Sequence, residues 1–143
     1  MVSDMPVTND IELRLRQTAS MPEVLSAGFD AFEAIRMIAR DCEDRTPELF
    51  AAFMTAADAA VDGREALTIA PSLSAGGTRP GHAIAAEADP GQTADLLAAL
   101  AAALRDRLTS AADLAVLPGD RAACHEAAAA AGRICQLMAR GDP

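Results

Sequence analysis

The chain has 143 residues and a net charge of −9, a one-domain length, with a pI near 4.5. All twelve basic residues are arginine, Tyr and Trp are absent, and alanine fills about a quarter of the positions. Without Lys there is no Schiff base and no P-loop ammonium, and without Tyr no phenolic proton donor; the scattered Arg residues, outnumbered by acids, do not make the clustered cations that a nucleic-acid groove or an anionic membrane surface needs.

The apolar fraction of 51% excludes a fully disordered chain. Much of it is Ala, so core density must come from close helix approach, anchored by Leu, Ile, Met and the four Phe residues. Cys42, Cys124 and Cys135 form an odd set without a short spacing, which predicts packed thiols rather than a disulfide framework. The first ten residues lack a basic n-region and an apolar h-region, so no signal peptide is expected. The longest apolar stretch, 94–104, is interrupted by Asp95 and falls short of the ~20 residues of a membrane span. A cytoplasmic chain is the expectation.

Residues 1–9 read as a tail. Ile11, Leu13 and Leu15 then alternate with Glu12, Arg14 and Arg16, a strand pattern. No second strand pattern follows to pair with it, so a short helix or an extended arm is expected instead. Residues 1–19 are thus assigned to a flexible N-terminal arm, and 20–143 to a single helical domain.

Ser20-Met21-Pro22-Glu23 matches a capping box with Pro in the first turn. The helix it opens should reach about residue 44. At helical spacing, Val24, Gly28, Ala31, Ile35, Ile38, Ala39 and Cys42 share one face. Asp30, Glu33, Arg36, Arg40 and Asp44 share the other. Phe29 and Met37 break this division by projecting into the charged face. Thr46-Pro47-Glu48 starts a second helix, whose apolar face carries Leu49, Phe50, Phe53, Ala57, Ala60 and Val61. Continuing that register would put Arg64 in the centre of the face, and Asp62-Gly63 is a stop signal, so a break or kink is expected there.

Residues 71–88 form a Gly/Pro/Ser-rich linker between the helical pairs 20–70 and 89–140. Asp89-Pro90-Gly91-Gln92 caps a third helix, with Leu97, Leu100, Leu104, Leu108, Ala111 and Ala115 on one stripe. Pro118-Gly119-Asp120 opens a fourth. It carries Ala123, Ala127, Ala130, Ile134 and Leu137 beside a second stripe of Cys124, Ala128, Ala131, Cys135 and Met138, and Gly141 closes it. Short turns within each pair imply antiparallel neighbours.

The chemistry-bearing motifs are incomplete. Cys124 and His125 are adjacent and point about 100° apart, and neither C-x-x-C nor H-x₃-H spacing occurs, which argues against zinc. Arg121 to His125 lacks the first Cys of a haem attachment. Without Glu-x-x-His, a di-iron site has no ligand set. Ser72 to Gly76 is one Gly short of a nucleophile elbow, with His82 nearby and no acid partner evident. Gly76 to Gly81 with Arg79 could cradle an anion only if a helix followed at once, and 83–89 is a poor helix.

The fold expected is all-α: a four-helix up-down bundle with a long central crossover loop and a short N-terminal arm. The function expected is non-enzymatic, that of a small acidic adaptor, regulator or accessory subunit working through protein–protein contacts, with no cofactor and no metal. The candidate partner surface is Phe29, Met37, Arg36 and Arg40, an aromatic, Met and Arg combination enriched in interfaces; the competing reading has Leu13 and Leu15 of the arm folding over it. The extra apolar rows on the third helix, Leu96, Ala99 and Ala103, point to burial against another protein or a second copy, a homodimer. An alternative function is small-molecule binding in an apolar pocket among Phe29, Phe32, Phe50, Phe53 and Met54. A third is a small enzyme using the 72–82 loop.

Overall fold

The computed structural model describes residues 6–73 and 89–139, with side chains from residue 10 onward. Helix is the only regular structure among them: α1 (Pro6–Gln17), α2 (Met21–Glu43), a 3₁₀ turn (Pro47–Leu49), α3 (Phe50–Thr68), α4 (Pro90–Leu114) and α5 (Pro118–Ala139). Among the described residues, no helix is long and apolar enough to cross a membrane.

Five helices pack together where four and an arm were expected. The difference is at the N-terminus, where the short helix, weighed beside an extended arm, is present. Residues 10–17, ambiguous between strand, helix and arm, belong to α1, which packs on α2 and α4. An isolated helix of this length is marginal in water, so its anchors matter. Leu15 is buried in the core. Arg14 pairs with the Asp30 carboxylate at 2.7 Å. From α4, Arg107 Nε donates to the Leu15 carbonyl and to Thr18 Oγ1, and its Nη2 donates to the Thr18 carbonyl. One guanidinium thus satisfies acceptors that the end of α1 leaves open. Asp30, placed by periodicity on the solvent face of α2, is buried for the same reason: α1 lies over it.

Local signals set α2 and α4. Ser20 Oγ accepts from the Glu23 N–H at 3.4 Å, and Glu23 Oε1 accepts from the Ala19 N–H at 2.7 Å, a capping box shifted by one residue. Asp89 accepts from the Gln92 N–H at 3.2 Å. All seven residues of the expected apolar face of α2 are buried, as is the Leu97–Ala115 stripe of α4. Thr46 makes no side-chain cap bond; the chain enters α3 through the 3₁₀ turn instead.

The break expected at Asp62-Gly63 is absent, and α3 runs unbroken to Thr68. Gly63 faces the core, and a Cβ there would overlap the Phe32 ring of α2. The glycine is a notch for an aromatic ring, not a stop. Arg64 lies partly exposed beside it and bonds Glu33 of α2.

Contacts fix the helix directions. Gly28 faces Leu67 and Phe32 faces Gly63, so α2 and α3 are antiparallel. Gly28 also faces Leu104 and Leu108, and Cys42 meets Thr93, so α2 and α4 are antiparallel too. Arg133 pairs with Asp62 and Asp120 with Ser72, which makes α3 and α5 antiparallel. Therefore α3 and α4 point the same way, where the expected up-down bundle would have them alternate, and the end of α3 and the start of α4 lie at opposite ends of the molecule. Gly141, expected to close the last helix, lies outside the described residues.

Candidate functional site

The candidate surface on α2 is only partly assembled. Met37 is 36% exposed, whereas Phe29 packs against the core. Arg36 is held by Glu33, and Arg40 by Glu43 and Asp58. Hydrogen bonding from Arg36, opposed by burial and assisted by Arg64, keeps the Glu33 carboxyl below the ordinary Glu range. These charges link α2 to α3 as well as facing solvent. Leu15 of α1 is buried but Leu13 is not, so α1 does not offer both leucines to this face.

The aromatic pocket residues are divided between core and surface. Phe32 and Phe53 are fully buried in the packed core, while Phe50 and Met54 are 40% and 37% exposed. One turn apart on α3, Phe50 and Met54 face outward. Of the 72–82 loop, only Ser72 and Leu73 are described; Gly76 to Gly81, Arg79 and His82 lie outside the described residues. Ser72 is occupied structurally. Its N–H and hydroxyl donate to Asp120 at 3.0 and 2.6 Å, tying the end of α3 to the first turn of α5.

Two of the three thiols, Cys42 and Cys124, lie in unreactive settings. Cys42 and Cys124 are buried and Cys135 is half-buried. Burial raises the Cys42 thiol pKa; burial first, and then the Asp120 charge, raises that of Cys124 to about 11. Neither is a thiolate near neutrality, and a thiolate is what nucleophilic or metal chemistry requires. Among the described residues, no three of His, Cys, Asp and Glu gather as a metal site would need.

Periodicity does not single out the most exposed apolar surface among the described residues. Ile69 at the end of α3 is 72% exposed, and around the α4–α5 turn Leu114, Val116 and Leu117 are 74%, 87% and 44% exposed. Ser72 bonded to Asp120 and Pro71 packed at Gly119 bring these two segments to the same end of the molecule. Solvating four large aliphatic side chains costs roughly 1.5–3 kcal/mol each relative to burial. The signal was readable in the run Leu114-Ala115-Val116-Leu117. It places Val116 and Leu117 in the turn directly after Leu114 at the end of α4, where polar residues are usual.

No family model matches the chain, and neither a curated protein nor a solved structure matches it.

Proposed function

We propose that this is a small, acidic, non-enzymatic helical protein of the cytoplasm that acts through protein–protein contacts, as an adaptor, regulator or accessory subunit. The observation that carries the reading is the aliphatic end formed by Ile69, Leu114, Val116 and Leu117. Isolated exposed apolar residues are ordinary, but several gathered at one end of a small domain mark an interaction site. The Phe29–Met37 face offers less, because Phe29 is already packed on the core.

The test is a triple variant, Leu114→Ser, Val116→Ser and Leu117→Ser. All three positions are exposed, so helix content and melting temperature should stay close to wild type. Quantitative affinity capture from the native host should then show a defined set of proteins retained by wild type and by Phe29→Ala/Met37→Ala, and lost by the triple variant. Equal capture by wild type and the triple variant would refute the assignment of this end as the contact surface.

A further inference from the structure

Between α3 and α5 runs a groove of about 330 Å³ that starts at Ile69 and so opens onto the aliphatic end. Ala66 and Ala130 are buried at its base and Ala129 flanks it. Side chains this small let another backbone approach closely, and two antiparallel helices form a groove that accepts the ridge of a third helix. Its charges are unbalanced. Asp62, Glu65 and Glu126 stand against one guanidinium, Arg133. Arg133 pairs with Asp62 at 3.4 Å, while Glu65 and Glu126 have no side-chain partner among the described residues.

We infer that the partner presents a cationic amphipathic helix, which lies along the α3–α5 groove with a large apolar side chain on Ile69; this rests on the reading of the aliphatic end as a docking surface. The sign of the charge selects the occupant. A second copy would bring three carboxylates and one Arg against the same set, on molecules that each carry −9. Like charges juxtaposed across an interface are unfavourable. A basic helix neutralises Glu65 and Glu126 instead. From Asp62 to Ile69 the groove runs seven residues along α3, roughly 10 Å or two turns of a docked helix. The partner therefore needs Arg or Lys on successive turns of one face, followed by an aliphatic residue.

The experiment titrates ¹⁵N-labelled protein with two synthetic helical peptides. One carries a Leu/Ala face flanked by Arg; the other replaces every Arg with Glu. The Arg peptide should shift the amides of residues 62–69 and 126–133, and the Glu peptide should not. Glu65→Gln with Glu126→Gln should weaken binding of the Arg peptide roughly tenfold, and added salt should weaken it further. Equal binding of both peptides, lost in the Leu114/Val116/Leu117 variant, would overturn the cationic partner while leaving the docking end intact. Binding of neither peptide, shifts outside the groove, or a concentration-dependent dimer broken by Ile69→Ser would also overturn it. Arg-peptide binding unchanged in the triple variant would instead remove the aliphatic end from the site.

Discussion

A methyl group at position 63 would overlap the Phe32 ring. Two effects oppose each other in Gly63→Ala. Alanine is the better helix former by about 1 kcal/mol, but overpacking a filled core costs about 1–3 kcal/mol. The overlap is with a ring fully buried on α2, so the clash should win, with net destabilisation in urea unfolding. Phe32→Leu should shrink the cost of Gly63→Ala in a double-mutant cycle. A Gly63→Ala protein more stable than wild type would show that the notch is not there. The thiols make a second residue-scale test. Cys135 should react with a thiol reagent before Cys42 and Cys124, which should label slowly until the chain unfolds. Because burial raises the folded Cys124 pKa to about 11, its contribution to stability is complete below the ordinary thiol range. It is lost as pH rises through that range toward the folded value. Stability should fall on this alkaline side, less steeply in Cys124→Ala; identical slopes would contradict the assignment.

At the scale of the element, α1 is the part least legible in sequence. The alternation from Ile11 to Arg16 fits a strand, yet the segment is helical. What decides it is tertiary: Leu15 in the core, Arg14 on Asp30, and Arg107 from α4 bonded to the turn that follows. Those partners lie 16 to 92 residues away along the chain, beyond the reach of any local pattern. Arg107→Ala removes all three bonds at the α1–α2 turn. It should cost about 1–3 kcal/mol and, in hydrogen exchange, deprotect α1 well before α4 or α5. Unchanged protection of α1 would mean that Leu15 alone holds it. By contrast, α2 and α4 were readable because Ser20 and Asp89 are local caps and the buried stripes follow a helical period. The end of α3 is not legible locally, because Gly63 serves a ring on another helix.

For the whole molecule, composition and periodicity foretold an all-helical chain, and the buried stripes of α2, α4 and α5 lie largely where spacing put them. The direction of α4 relative to α3 is set by the contacts each makes with α2, and no local pattern encodes it. The contact surface is hidden from sequence for a related reason. Phe29 and Met37 looked anomalous on a helical projection, but projection cannot show that Phe29 packs inward or that Ile69 and the α4–α5 turn meet at one end. On the proposed function, this end touches another protein. The most direct measurement is photo-crosslinking in the native host, with benzoylphenylalanine at position 116 and, as control, at exposed Gln136 of α5. A discrete heterologous adduct is expected from position 116, absent from position 136 and lost when Ile69 and Leu117 are changed to Ser. No adduct at 116, or the same adducts from both positions, would contradict it.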